Sequence, residues 1–178
     1  MVLKERAEGL GYDEDFVKGI DASVFSASCG SGCPLKLAGG PSEGETVIDL
    51  GCGAGHDTLL AAKVVGRSGK VIGVDLTPEM LQAASIHRRN YSETTQNIEF
   101  VQGPLEECSS IEDSTADVVI SNGVFNLCDN KLKAFQSAYR VLKPGGRLVF
   151  SDVCKLLQAV ADCSISCISC VVGDVFSS

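Results

Sequence analysis

Val47-Ile48-Asp49-Leu50-Gly51-Cys52-Gly53-Ala54-Gly55-His56-Asp57 is the stretch that decides the fold. An apolar run gives way to glycine at every second position, and the helix-like segment His56–Val65 follows at once. Glycine there admits positive φ and lets a ligand approach bare backbone, next to the partial positive charge of a helix N-terminus. The next apolar run ends in an acid, Val74-Asp75-Leu76, at the distance where such loops are partnered by a carboxylate that accepts ribose hydroxyls. The spacing excludes two phosphate-binding loops. G-x-G-x-x-G needs Gly or Ala where the chain has His56 or, one step on, Thr58, and G-x-x-x-x-G-K-[ST] fails because Val71 follows Gly69-Lys70. What remains is G-x-G-x-G preceded by Asp49. A ligand-free tight turn would require the glycines, the flanking acids and the strand context to coincide by accident.

Outward from this loop, short Val- and Ile-rich runs alternate with longer helical stretches, the pattern of βα units around a parallel sheet. Strands are expected at Thr46–Leu50, Lys70–Asp75, Ile98–Val101, Asp117–Ser121 and Arg147–Ser151, each bracketed by Gly, Asp, Asn or Pro. Helices are expected at His56–Val65, from Thr77-Pro78-Glu79 with Thr as cap and Pro in the first turn, and from about Asn130. In the last of these Leu132, Phe135, Tyr139 and Leu142 recur at helical spacing and read as core, before Lys143-Pro144-Gly145-Gly146 stops the helix and turns the chain into the fifth strand. Residues 1–40 hold a short acidic helix candidate around Asp13–Lys18 and a small, Gly- and Cys-rich stretch, Ser26–Pro34, that reads as a loop. The organisation expected is therefore an N-terminal segment 1–40 on the substrate side, a core over 41–153 and a Cys-rich tail over 154–178.

The 178 residues suit one domain, and 44% apolar with 21% charged residues excludes wholesale disorder. A net charge of −8 without a basic stripe argues against a nucleic acid partner, and no apolar run reaches the ~18 residues of a membrane span. The first residues lack a secretory signal, so nine cysteines, an odd number, point to a reducing cytoplasm and not to a disulfide framework. They fall in two groups. Cys52, Cys108, Cys128 and Cys154 read as small buried hydrophobes. Cys29 and Cys33 precede the first strand, and Cys163, Cys167 and Cys170 follow the fifth, where segments roof a ligand site beyond the carboxyl ends of the strands. A zinc site from Cys29-x-x-x-Cys33 with Cys167-x-x-Cys170 is the weaker alternative, since no histidine joins them. His87 reads as part of a solvated basic helix face.

The G-x-G-x-G loop with Asp49 and Asp75 resembles the seven-stranded, class I S-adenosylmethionine-dependent methyltransferases over roughly Thr46 to Val153. The resemblance narrows at Leu10-Gly-Tyr-Asp-Glu14, Cys29-Gly30, Cys33-Pro-Leu-Lys-Leu-Ala38, Val71-Ile-Gly-Val-Asp-Leu-Thr-Pro-Glu-Met80 and Val118-Val-Ile-Ser-Asn-Gly-Val-Phe-Asn-Leu127, which look like arsenite methyltransferases. It implies a Rossmann-like, doubly wound, mostly parallel α/β sheet. It also implies S-adenosyl-L-methionine as cofactor, held by Asp49, Gly51, Cys52, Gly53, Gly55, Asp75, Leu76 and Asn122. Leu105 and Glu106 are expected at the adenine, because Pro104 replaces the acid common in the family.

The substrate implied is arsenite, as a thiol adduct and with a thiol reductant as partner. Trivalent arsenic is soft, binds up to three thiolates, and keeps a lone pair that attacks the sulfonium methyl, so positioning replaces a general base. The thiols implied are Cys170, in Cys170-Val-Val-Gly173, with one or both of Cys29 and Cys33; Cys167 or Cys163 stands in for a third that has no counterpart. The family fold carries two more strands after the fifth, for which the tail is expected to leave no room, so that a sheet edge is exposed and the oligomeric state is open. Two other functions stay open: methylation of another small molecule, and a shortened thiol module that holds a metalloid without turnover.

Overall fold

The computed structural model describes residues 8–18, 20, 24–25, 30–91, 96–155 and 165–172, with the backbone alone for Asp15, Cys154, Lys155 and 165–172. The five expected strands form: β1 (Thr46–Leu50), β2 (Lys70–Asp75), β3 (Ile98–Gln102), β4 (Ala116–Asn122) and β5 (Leu142–Lys155). They are parallel, in the order β3-β2-β1-β4-β5. The connecting helices are α1 (Glu14–Val17), α2 (His56–Val65), α3 (Pro78–Asn90) and α4 (Lys131–Val141). The side-chain period of two sends alternate residues to opposite faces of the sheet. Val47, Val71, Val118 and Ile120 pack with Leu59, Leu60 and Val65 of α2, while Ile48, Ile72, Val74 and Val119 pack with Ala134, Ala138 and Val141 of α4. With both faces covered, the strands need no polar side, which explains their unbroken apolar runs.

Four expectations require correction. The tail does hold a further strand: β6 (Ile165–Val172) runs antiparallel along the edge of β5, from Lys155 opposite Ile165 to Leu148 opposite Val172. It satisfies backbone groups that the edge of β5 would otherwise present unpaired. The Lys143–Gly146 stretch is no separate turn, because β5 begins at Leu142 and the extra residues bulge between the Ala116–Leu142 and Val118–Arg147 pairs, with Gly145 at φ +77°. Helix α4 presents a different stripe from the one expected. Ala134, Ser137, Ala138 and Val141 are buried, whereas Leu132 and Tyr139 are 68% and 60% exposed. Small alanines let the helix approach the sheet closely, and Phe135 fills the margin by stacking on Phe125 at 4.3 Å. Finally, Thr77 precedes α3 without a side-chain cap; its N–H is taken by Asp75 Oδ1 at 2.9 Å.

Described residues of the N-terminal segment contribute to the core. Tyr12 and Val24 are fully buried in the cluster beneath α2, together with Cys33 and Leu35. Arg147 of β5 fastens the chain ahead of β1, donating to both carboxylate oxygens of Glu45 at 2.8 and 2.9 Å and to the carbonyls of Gly39 and Gly40.

Candidate active site

Sheet order reverses between β1 and β4, and the crevice at such a switch point, outside the carboxyl ends of the strands, is where open α/β sheets bind ligands. A cavity of about 700 Å³ occupies it, within the ~300–1,000 Å³ range of small-molecule sites. The glycine loop forms its floor. Gly51 and Cys52 donate their N–H groups to Val74 O at 2.8 and 2.9 Å, which folds the loop over the end of β2. Gly51, Gly53 and Gly55 take φ of +76°, +51° and +86°, conformations that L side chains rarely adopt. At Gly51 a Cβ would lie 2.4–2.8 Å from Val124, whereas at Gly53 it would meet nothing within 4 Å: the loop leaves open space where a ligand approaches. Asp75 holds the loop from the side, its Oδ2 accepting from Gly53 N at 2.8 Å.

Asp49, Asp57 and Asp75 bring three carboxyl groups to the cavity wall. Burial, followed by the charge of Asp57, pushes the Asp49 carboxyl well above the usual carboxylate range, and Thr58 Oγ1 donates to it at 2.6 Å. Tyr12 reaches across from the N-terminal segment to donate to Asp57 Oδ1 at 2.6 Å. Burial and Asp57 push the Tyr12 phenol far above its ordinary value, so it remains a donor. Beside them sits His56, buried, with Tyr12 and Phe25 edge-on at 4.6 and 4.2 Å and with neither ring nitrogen hydrogen-bonded. Burial depresses its pKa against the opposing pull of Asp57.

The expected cofactor residues converge here: Asp49, Gly51, Cys52, Gly53, Asp75, Leu76, Leu105, Glu106 and Asn122 line the cavity. Gly55 lies behind it as the residue preceding α2, where a Cβ would touch Ala84 at 3.1 Å. The Cys52 thiol is buried under the loop, and its pKa is pushed up by burial and then by Asp49. Cys108 is packing, as expected, with its Sγ toward Leu105 O at 3.5 Å, while Cys128 is half-buried on the cavity wall. His87 does more than face solvent, since its Nδ1 lies 2.9 Å from Ala54 O and braces the glycine loop.

The substrate thiols divide. Cys33 is buried among Tyr12, Val24 and Leu35, off the cavity wall, and burial with the Asp57 charge pushes its thiol up to about 12. Cys29 and Cys163 lie outside the described residues. Cys170 pairs with Phe150 and Cys167 with Val153 in the β5–β6 ladder, in the carboxyl half of β5 and at the outer edge of the sheet. Among the described residues, no group of three or more His, Cys, Asp or Glu side chains is placed to hold a metal ion. The Tyr12–Asp57 contact had no signal in the sequence, because the two residues are 45 positions apart.

A glycine loop after β1, an acid ending β2 and a switch-point cavity of this size define a doubly wound α/β domain built to bind a nucleotide cofactor. The chain belongs to the family described as "Methyltransferase domain", whose model matches residues 41–174. It is 41% identical to an arsenite methyltransferase of Halobacterium salinarum over 94% of this chain and 42% of that protein. It is 44% identical to one from Aquipseudomonas alcaligenes over 75% of this chain and 38% of that protein. Among solved structures it is similar to an arsenic(III) S-adenosylmethionine methyltransferase from Chlamydomonas reinhardtii, at 40% identity and a TM-score of 0.71, covering 78% of this chain and 48% of that one. The chain thus spans less than half the length of these relatives. Among the described residues, no helix is long and apolar enough to cross a membrane.

Proposed function

We propose that the chain binds S-adenosyl-L-methionine in the switch-point cavity and methylates trivalent arsenic held by cysteine thiolates. The observation that carries this reading is the open floor at Gly53 beside Asp75, in a chain 41% identical to an arsenite methyltransferase. Asp75, with lone pairs left beyond its two backbone contacts, accepts from the ribose hydroxyls, and the loop Gly51–Gly55 lies against the amino-acid end. Asp57 offsets the positive charge of the ligand, while Leu76 and Leu105 supply apolar surface and Glu106 a polar contact at the base. The cofactor supplies an electrophilic methyl group.

Arsenite is the substrate, held by Cys170 and an N-terminal thiol, with Cys167 or Cys163 as the third. Of the two N-terminal candidates we favour Cys29, because its neighbour Gly30 lines the cavity, whereas Cys33 is a buried, protonated thiol at neutral pH. An external thiol reductant returns arsenic to the trivalent state that carries the lone pair. The test is methyl transfer to arsenite in the presence of such a reductant, comparing wild type with Cys170→Ser, Cys29→Ser and Cys33→Ser. Loss of product in the first two with retention in Cys33→Ser is expected. Full activity of Cys170→Ser overturns the thiol assignment.

A further inference from the structure

Asn122 stands at the carboxyl end of β4, on the cavity wall, yet its amide is committed to protein partners. Oδ1 accepts from Ser31 N at 2.7 Å and from Gly32 N at 3.3 Å. Nδ2 donates to Gly32 O at 2.7 Å and to Asp57 Oδ2 at 2.8 Å, with Tyr12 Oη at 3.0 Å. An amide has two N–H donors and one carbonyl oxygen with two lone pairs, so this set leaves little for a ligand. The strap passes so close that a Cβ on Gly30 would lie 2.5–2.8 Å from the Asn122 amide atoms. Three parts of the molecule meet at this one side chain: β4, the first turn of α2 through Asp57, and the strap 30–32 between the two N-terminal cysteines.

We propose that Asn122 is a positioning residue for substrate, a clamp that docks residues 30–32 with Gly30 on the cavity wall, and that it is not a cofactor contact. The proposal rests on the arsenic-methylating function proposed above, but the docking it describes can be measured independently of turnover. Backbone N–H and C=O groups of the strap are read by the amide because it offers donor and acceptor side by side in one planar group; a carboxylate in its place keeps the acceptor for Ser31 and Gly32 but sets a second negative oxygen against Asp57 and Gly32 O.

The experiment uses the full chain and compares Asn122→Asp with Gly30→Ala, which acts from the strap side and leaves the sheet untouched. Three quantities are read: the rate at which iodoacetamide alkylates Cys33 in the folded protein, the Kd for S-adenosylhomocysteine, and the KM for arsenite. Both variants are expected to raise the Cys33 alkylation rate and the arsenite KM about tenfold, the factor that corresponds to the loss of one or two buried hydrogen bonds. The S-adenosylhomocysteine Kd is expected to stay within about threefold of wild type, because the Asn122 amide is taken up by protein partners and leaves little for the ligand. An unchanged Cys33 rate in both variants overturns the clamp, and a Kd that worsens as much as the KM makes Asn122 a cofactor contact instead. If wild type does not methylate arsenite, the proposed function fails while the alkylation rates and Kd values still decide for or against the clamp.

Discussion

Replacing Gly51 by alanine tests whether the glycine loop is built as described, because its cost separates into two parts. The residue sits at φ +76°, where a Cβ costs about 1–2 kcal/mol against the following carbonyl. That Cβ would also lie 2.4–2.8 Å from three side-chain atoms of Val124, and forcing such an overlap in a packed site costs about 1–3 kcal/mol more. The total, about 2–5 kcal/mol, is a large share of the ~5–15 kcal/mol that holds a domain together. Gly53→Ala carries only the first part, since open space surrounds its Cβ. In urea unfolding followed by circular dichroism, with a slope of about 2 kcal/mol/M, the midpoint should fall about 1–2.5 M for Gly51→Ala and about 0.5–1 M for Gly53→Ala. Gly53→Ala should instead lose affinity for S-adenosylhomocysteine, because its methyl enters the ligand's space. Adding Val124→Ala should return about 1–2 kcal/mol to Gly51→Ala as a coupling energy in a double-mutant cycle. Equal destabilisation by the two alanines, or a coupling below about 0.3 kcal/mol, refutes the reasoning.

Three other outcomes follow from the site. Asp75→Ala removes the acceptor of Gly53 N and Thr77 N and should weaken S-adenosylhomocysteine binding at least about tenfold, as expected for lost hydrogen bonds to a charged group; unchanged calorimetric affinity contradicts the ribose role. His56 is neutral in the folded protein because burial depresses its pKa, facing Asp57, Tyr12 and Phe25. Its stability contribution is full above the ordinary value of about 6.5 and is lost as pH falls through the lower folded value, because the unfolded chain takes up the proton first. His56→Phe should therefore lose less Tm than wild type between pH 7 and pH 5, and parallel curves argue against a neutral buried ring. Arg147→Met abandons Glu45 and the carbonyls of Gly39 and Gly40 and should cost about 1–2 kcal/mol in urea unfolding, with a silent substitution showing that the segment ahead of β1 is held by other contacts.

The central fold was legible because its signals are local. Five Val- and Ile-rich runs, the glycine loop and Asp75 each declare themselves within a few residues, and the structure assembles them in the parallel order that βα units dictate. Features that depend on long-range packing were less legible. Leu132 and Tyr139 share a helical period with the true inner face of α4, and only the sheet decides that Ala134 and Ala138 lie against it. Pro144-Gly145-Gly146 has the composition of a turn, yet pairing with Ala116 on one side and Val118 on the other makes it a bulge. The Ile165–Val172 run sets Ser-Cys pairs between its β-branched residues, which is not the alternation of a half-buried strand, and only its pairing along β5 marks it as one. In the site, Asp49, the glycines and Asp75 were read from one motif. The Tyr12–Asp57–Asn122 network joins three distant segments and has no spacing to betray it.

The measurement that addresses the central claim most directly is arsenic speciation after incubation of the protein with methyl-labelled S-adenosylmethionine, arsenite and a thiol reductant. Labelled methylarsenic should form in step with S-adenosylhomocysteine, and Asp75→Ala and Cys170→Ser should each abolish it. Binding of S-adenosylhomocysteine with no methylarsenic at any arsenite concentration would contradict the proposed function.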